Sequence, residues 1–177
     1  MEKIIQNITQ RFSVSDSVEK RDNLTFVTVK QDLAVALITH LRDIEGFAHF
    51  VLLTAVDWIE EEKFQLTYIL NYPERKIDLG IRVYIDRNNP TMDSAHHLWE
   101  QVATYQRELK EMFGIDFPGS PRVDESFILE GWDNIPPYRR DFDTLKYAEE
   151  TFFPREGRET NDPATYMKKK LYPDEEK

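Results

Sequence analysis

Apolar residues recur every three or four positions in three parts of the chain, a spacing typical of amphipathic helices. The first pattern predicts a short helix over 1–13, and the second predicts a helix over 33–44. The third predicts a long helix over about 93–113, which Gly114 ends because glycine readily adopts the left-handed conformation of a helix C-terminus.

Between these helices the pattern changes to one that predicts β-strands. A β-branched and aromatic run predicts a strand at 24–29. The near-continuous apolar run over 50–56 predicts a strand buried on both faces. Alternation of apolar and polar residues predicts two further strands, at 64–70 and 77–85, each with one buried face. The connection at 71–76 suits a hairpin with a longer loop.

The order of these elements is helix, strand, helix, three strands and helix. Because strands and helices do not alternate regularly, the order favours an α+β fold, with a mostly antiparallel sheet packed with helices, over a doubly wound parallel sheet. We expect this domain to occupy residues 1–113.

After Gly114 the apolar periodicity fades and prolines punctuate the chain. This part is nevertheless too rich in aromatic and aliphatic residues for a flexible linker. A long segment without regular structure would be unusual inside a lone compact domain. Residues 114–177 are therefore predicted to form an extended, Pro-rich C-terminal segment that docks on a partner protein.

Composition excludes several classes of function. The formal charge of -10 disfavours nucleic-acid binding, which depends on clustered Lys and Arg. The chain contains no run of about 18 apolar residues that would span a bilayer. It also lacks cysteine, so it offers no thiolate to an iron–sulfur cluster and no thiol nucleophile.

Two pairs of residues suggest chemistry, but neither forms a convincing catalytic or metal site. His96 and His97 are adjacent, and neighbouring helical residues point about 100° apart, so they would not chelate one ion. Glu108 and Glu111 lie on one side of the third helix, as an acid–base pair would. Arg107 stands beside them, which favours ionised groups in salt bridges, at an interface or within the fold, over catalysis.

The sequence Arg139–Arg140–Asp141 provides two guanidinium groups, which are planar forks suited to carboxylates and phosphates. Neither a Gly-rich dinucleotide loop nor a P-loop lysine accompanies it. Carboxylates of protein side chains are therefore the favoured partners. We find no catalytic residue, no cofactor-binding residue and no metal ligand in the sequence.

At several separated points over about 24–145 the chain resembles the C subunit of NADH-quinone oxidoreductase (respiratory complex I), the 30 kDa-type subunit. The run Leu53–Trp58 is similar to a strand in that family which ends in Ala-Val-Asp-aromatic. The family signature is matched by the run 107–119 and by the later run 132–142. The signature residues, which the resemblance implies to lie at an interface, are Arg107, Glu108, Glu111, Phe113, Gly114, Phe117, Gly119, Trp132, Pro137, Arg139, Arg140 and Asp141.

The chain departs from the family pattern in three places. Gln106 stands where the signature usually begins with Glu, and Ser120–Pro121 stands where His-Pro is usual. The run Val123–Glu125 replaces an expected basic pair. These departures leave the branch of the family open.

The resemblance implies a non-catalytic subunit in the peripheral arm of a large electron-transfer complex. It implies a position beside the large D subunit, which helps to form the quinone site, and beside the small iron–sulfur B subunit. Iron–sulfur clusters and quinone are then expected in those partners, with no cofactor in this chain. The expected location is the cytoplasmic side of the cell inner membrane, with membrane contact only through the complex.

Three alternatives stay open. The chain would be the equivalent subunit of a membrane-bound [NiFe] hydrogenase or formate hydrogenlyase if it belongs to a related branch. It would be a stand-alone enzyme if Glu108 and Glu111 supported activity without partners. A closed apolar pocket in the domain would instead favour a soluble ligand-binding module.

Overall fold

The computed structural model describes residues 1–151 and Leu171. The chain divides into two compact units, Met1–Phe142 and Asp143–Lys177. The described part of the second unit contains one helix, α4, Thr144–Thr151. All of the candidate interface residues lie in the first unit.

The first unit combines helices with a single sheet in its described residues. Its helices are α1 (Glu2–Phe12), α2 (Gln31–Asp43) and α3 (Gln101–Phe113). Its strands are β1 (Asp16–Arg21), β2 (Leu24–Val29), β3 (His49–Trp58), β4 (Lys63–Tyr72) and β5 (Ile77–Asp86). A single 3-10 turn, Ile59–Glu61, joins β3 to β4.

The sheet has the strand order β1-β2-β5-β4-β3 within the described residues. Neighbouring strands pair antiparallel except for β2 and β5, which are parallel. The parallel pair arises because the chain leaves β2 through α2 and returns to β2 only with its last strand. The predicted α+β class is confirmed, and the sheet is mixed.

The helices cover one face of this sheet. In β4 and β5 every second side chain is buried, as their alternating sequences predict. The apolar sides of α2 and α3 join these side chains in one core, α2 against β5 and α3 against β3. The opposite face of the sheet carries mostly half-buried and exposed residues, with Thr67 buried near its middle.

The prediction that β3 is buried on both faces is wrong. Phe50, Leu53 and Ala55 are buried, whereas Val51 and Val56 are exposed. A shift in the β3–β4 register after Phe50 places an extra residue in β3. This bulge lets apolar residues follow one another in the sequence although only one face of the strand is covered.

Two further elements differ from the sequence predictions. The strand β1 was not predicted because its residues are polar and almost all exposed, so it shows no apolar alternation. The third helix begins at Gln101, not near 93. His96 and His97 therefore lie in the turns before α3, and the argument that excluded a shared metal ion because both histidines are helical does not apply.

The first unit also extends past the boundary expected at residue 113. The chain after α3 packs back onto the domain through Ile115, Phe117 and Val123, which are all buried. The compact unit continues to Phe142. Docking of the C-terminal segment on a partner stays a prediction, and most of its residues after Thr151 lie outside those that the structure describes.

Candidate functional site

The end of α3 organises the candidate interface. Gly114 takes a left-handed conformation, with φ of 76°, and its N–H donates to the carbonyls of Leu109 and Lys110. The chain then reverses, and the N–H of Tyr138 donates to the carbonyl of Met112 at 3.0 Å. The last turn of α3 is therefore satisfied by the returning segment, so helix and segment form one structure.

The side chain of Glu111 binds the backbone of the segment that follows α3. Its Oε1 accepts the N–H groups of Phe127 and Leu129, at 2.8 and 3.1 Å, and its Oε2 accepts the N–H of Ile128, at 2.9 Å. Burial raises the pKa of Glu111, but the three N–H donors and the nearby Arg107 lower it by more. The net pKa of Glu111 therefore lies below its usual range. Glu111 is an ionised anchor and is poorly suited to accept a proton at neutral pH.

The neighbouring side chains of α3 also face the segment. The guanidinium of Arg107 lies 5.4 Å from the centre of the Phe127 ring, a cation–π distance. Its Nε is buried without a hydrogen-bond acceptor among the described residues. Lys110 pairs with Asp116 at 2.5 Å.

A second anchor lies at the ends of β3 and β5. The buried Asp57 carboxylate accepts hydrogen bonds from Nε and Nη2 of Arg87, at 2.8 and 3.0 Å. Arg87 also donates to Asp141 at 2.8 Å, and the N–H of Arg140 donates to Asp57 at 2.9 Å. One strand-end carboxylate thus fastens the end of the first unit to the sheet.

Charge pairing sets the titration of this anchor. Burial raises the pKa of Asp57, but the bonds from Arg87 and from the Arg140 N–H lower it more, and the net pKa is below its ordinary value. The Asp57 and Asp141 carboxylates raise the pKa of Arg87. Both groups are therefore charged at neutral pH, as a buried bidentate pair requires.

Arg139 and Arg140 play different roles. The guanidinium of Arg139 lies 5.4 Å from the centre of the Phe64 ring and 3.6 Å from Asp141. Arg140 points outward and pairs with Glu60, and both side chains are more than half exposed. Arg139 is thus part of the packing, while Arg140 is accessible.

The remaining signature residues divide between core and surface. Phe113 and Phe117 are buried, and Phe113 contacts both Phe64 and Tyr138 edge to face. Gly119 is exposed in a left-handed turn. The rings of Trp132 and Phe142 are in tilted contact, with centroids 5.5 Å apart, and the Trp132 indole N–H donates to the carbonyl of Ile135.

Pro137 and Glu108 complete the signature residues. Pro137 is half-buried directly before Tyr138. Glu108 is half-buried and forms no side-chain hydrogen bond or ion pair within the described part of the chain. The structure brings Arg107 and Glu111 together with the 127–129 backbone, and it brings Arg139 and Asp141 together at the second anchor.

Gln106, one of the departures from the family pattern, has a structural place. Its side chain is fully buried, and its Oε1 accepts the hydroxyl of Ser94 at 2.7 Å. That hydroxyl lies 3.0 Å from Nδ1 of His96. The Nε2 of Gln106 is buried and has no hydrogen-bond partner among the described residues.

An open cavity of about 300 Å³ lies beside Glu111. Its lining includes Lys110, Asp124 and Glu125 as well as the apolar Leu129 and Trp132. It is not the closed apolar pocket that would favour a ligand-binding module. The described residues contain no group of three potential metal ligands, and none of their helices is long and apolar enough to cross a membrane.

Arg87 was missed in the sequence, and Asp57 was noted only within the family motif. Both positions continue the inward alternation of their strands, after Ala55 in β3 and after Ile85 in β5. A charged residue on an inward position must find a partner. Asp57 and Arg87 have opposite charges and lie at inward positions at the ends of β3 and β5, which both pair with β4. This combination is the signal that would have predicted the ion pair between them.

Comparison with known proteins agrees with the motifs. The sequence model of the family described as "Respiratory-chain NADH dehydrogenase, 30 Kd subunit" matches residues 27–148. The NADH-quinone oxidoreductase C subunit of Moorella thermoacetica is 32% identical over 142 residues, which are 80% of this chain and 95% of that protein. The NADH-quinone oxidoreductase C/D 2 subunit of Aquifex aeolicus is 29% identical over 78% of this chain and 23% of its own length.

Solved structures share the fold. A chain of the membrane-bound sulfane sulfur reductase, an archaeal respiratory membrane complex, superposes with a TM-score of 0.74. The match is 24% identical and covers 85% of this chain and 90% of that chain. A trypsin-resistant fragment (1-134) of Nqo5 superposes with a TM-score of 0.61 at 19% identity, over 68% of this chain and 96% of the fragment.

The signature at the end of α3, the segment that it anchors and most of the family match over 27–148 lie in the same compact unit. Relatives that match most of this chain are named as C subunits of NADH-quinone oxidoreductase. The chain therefore belongs to the family of the respiratory-chain NADH dehydrogenase 30 Kd subunit.

Proposed function

We propose that this chain is a non-catalytic assembly subunit in the peripheral arm of a complex I-like NADH:quinone oxidoreductase. In this role it packs against the large D subunit and next to the small iron–sulfur B subunit. The iron–sulfur clusters and the quinone belong to those partners. The chain then lies on the cytoplasmic side of the inner membrane and contacts the membrane through the complex.

The observation that carries this proposal is the Aquifex aeolicus relative. Its name assigns the C and D subunits to one protein, and the region similar to this chain is 23% of its length. Two functions joined in one chain commonly act side by side, because the linkage gives a high effective concentration. A neighbouring D-type subunit is accordingly the preferred partner of this chain.

The shape of the 114–142 segment supports an interface. Ile128, Ile135 and Tyr138 are 68%, 43% and 59% exposed, although the segment is fastened to the domain at both anchors. A rigid segment that presents apolar side chains suits protein docking, because little conformational entropy is lost on binding.

The geometry does not support the stand-alone enzyme that would use Glu108 and Glu111. Both oxygens of Glu111 already accept backbone N–H groups, and its pKa is lowered. A general base needs a free lone pair directed at a substrate and a pKa near the working pH. Glu111 meets neither requirement.

A second candidate is the equivalent subunit of a related membrane complex, such as a [NiFe] hydrogenase or a formate hydrogenlyase. The observation that favours it is the fold match to the archaeal sulfane sulfur reductase, which covers more of this chain than the Nqo5 fragment does. The assembly role and the large-subunit partner are similar in both cases, and the electron donor and acceptor differ.

Separate measurements of assembly and turnover test this proposal. Cells would carry Arg140→Ala or Glu108→Ala in place of the native chain. We expect less assembled complex in membranes, because both side chains are accessible for partner contacts, and normal turnover in each complex that does assemble. Arg75→Ala, on an exposed arginine in the turn between β4 and β5, is the matched control outside the proposed interface. Full assembly with abolished turnover would contradict the proposal and indicate a catalytic role.

A further inference from the structure

The face of the sheet opposite the helices is an uncovered surface in the described part of the chain. Side chains on it include Val56, Trp58 and Tyr84, which are 42%, 39% and 39% exposed. Leu52 and Ile69 are half-buried neighbours on the far side of the polar row that contains Arg82. Apolar and aromatic side chains thus lie on both sides of a polar row, and exposed apolar groups bordered by polar residues mark interaction surfaces. We call this surface the open sheet face.

Side-chain hydrogen bonds hold part of the open sheet face in one arrangement. The Trp58 indole N–H donates to Oε1 of Gln65 at 3.3 Å, and the Tyr84 hydroxyl donates to the same oxygen at 3.1 Å. Nε2 of Gln65 donates to Thr67 at 3.1 Å. The two aromatic rings are thereby fixed before any partner binds, which lowers the entropy cost of binding.

Arg82 lies in the middle strand of this face and gives it a charge. It stands in a cross-strand row between Thr28 and Thr67, and its guanidinium lies 4.3 Å from the centre of the Phe26 ring. Its Nε is buried and has no hydrogen-bond acceptor in the described part of the chain. Within the described residues Arg82 forms no ion pair, although Asp16 flanks the same row.

These observations identify the class of partner. We infer that the open sheet face docks another subunit of the assembly, through an apolar surface that carries a carboxylate for Arg82. The inference rests on the proposed function for the existence of that subunit. A partially desolvated guanidinium without an anion is complemented by a carboxylate, which forms two parallel hydrogen bonds with it.

The same geometry argues against a second copy of this chain as the partner. Two copies packed face to face about the centre of the sheet would bring Arg82 against its own counterpart, and like charges repel. Addition of a strand at either edge is also disfavoured. The outer strand β1 is charged, and the Gln101 and Trp99 side chains donate to carbonyls of Phe50 and Ala48 at the start of β3.

Variants on the open sheet face test the inference in the intact complex. Thr54→Arg adds a bulky cation to an exposed position in the Arg82 row, opposite Thr67 on the neighbouring strand. Arg82→Gln keeps a polar side chain and removes the charge. Recovery of the other subunits with a tagged chain should fall about tenfold or more for each variant. Arg75→Gln, on an arginine stacked over Tyr72 in an exposed turn, should recover them like the native chain.

A second measurement does not depend on variants that fold. Hydroxyl-radical labelling of Trp58 and Tyr84 should be strong in the isolated chain and several times weaker in the assembled complex. Equal labelling in both states would overturn the inference, as would normal recovery of partners with Thr54→Arg. Normal recovery with Arg82→Gln would overturn the inference that the partner provides a carboxylate for Arg82. Labelling that is already weak in the isolated chain would show that the face is covered without a partner. A native chain that recovers no subunits at all would instead refute the proposed function.

Discussion

At the scale of single residues, two carboxylates connect the domain to the segment that follows it. Asp57 is buried and binds Arg87 and the Arg140 N–H, while Glu111 accepts three consecutive backbone N–H groups. Each carboxylate accepts hydrogen bonds from three N–H donors, two from Arg87 and one from Arg140 for Asp57, and three backbone N–H groups for Glu111. Loss of Asp57 is the more costly of the two, because it leaves the buried Arg87 donors without their acceptor, whereas the donors to Glu111 are half-buried or exposed.

Asp57→Ala should therefore lower the free energy of unfolding by about 3–5 kcal/mol, because it leaves the buried Arg87 without its main partner. Denaturant unfolding of the variant and native chains measures the difference. Glu60→Ala, which removes the exposed partner of Arg140, is the control and should change stability little. Similar losses of stability for the two substitutions would contradict the prediction that the buried Asp57–Arg87 pair stabilises the fold far more than the exposed Glu60–Arg140 pair.

The Glu111 anchor should show its own pH dependence. Its pKa is lower in the folded state than in the unfolded state, so its stabilising contribution is complete above the ordinary glutamate pKa and is lost as the pH falls through the folded value. Hydrogen exchange should show the amides of 127–129 losing protection selectively in acid, below about pH 4.

Glu111→Gln should weaken the protection of those amides by about tenfold at neutral pH, because the amide nitrogen cannot accept the Ile128 N–H. Glu108→Gln, one turn earlier on α3, should leave their protection unchanged. Equal hydrogen exchange of the 127–129 amides in the two variants would contradict the role of Glu111. Persistence of the acid dependence in Glu111→Gln would contradict it as well.

At the scale of elements, alternation in the sequence predicted β4 and β5 because each has one covered face, and it predicted α2 and the end of α3 for the same reason. It failed at β3 because a bulge lets Val51 and Leu52 follow Phe50 without a second covered face. It missed β1 because an exposed edge strand has no apolar side to reveal. These failures come from long-range register and pairing, which local periodicity does not encode.

The candidate site divides in the same way. The run from Arg107 to Gly114 was readable as a helix end, and its Gly114 cap is confirmed. The hydrogen bonds from Glu111 to the 127–129 backbone were not predictable, because they join positions 16 to 18 residues apart through an irregular segment. The interface role of the signature residues stays a prediction.

The cap of α3 gives a prediction at this scale. Gly114→Ala should destabilise the chain by about 1 kcal/mol or more, because an L-residue is strained at a φ of 76° and the new Cβ would lie 3.3 Å from Pro136. Gly131→Ala introduces the same backbone strain at an equal φ, with no described atom within 4 Å of the new Cβ. Thermal unfolding should show the larger loss for Gly114→Ala, and equal losses would mean that crowding by Pro136 contributes nothing.

At the scale of the whole molecule, the first unit is a two-layer domain, and the 114–142 segment and the open sheet face are the two surfaces proposed to contact partners. A domain with its helices on one face and an uncovered sheet on the other is suited to a place between larger subunits. The whole chain has a net charge of -10 and no cysteine, so it offers no thiolate ligand to an iron–sulfur cluster. The shared family of this chain and the C subunits of NADH-quinone oxidoreductase agrees with that role.

The most direct test is to purify the tagged chain from detergent-solubilised membranes of its own cells and to identify the co-purifying proteins by mass. We expect a D-type large subunit and a B-type iron–sulfur subunit to be recovered in amounts comparable to the chain. Recovery of the chain alone, together with catalytic activity of that isolated protein, would contradict this expectation.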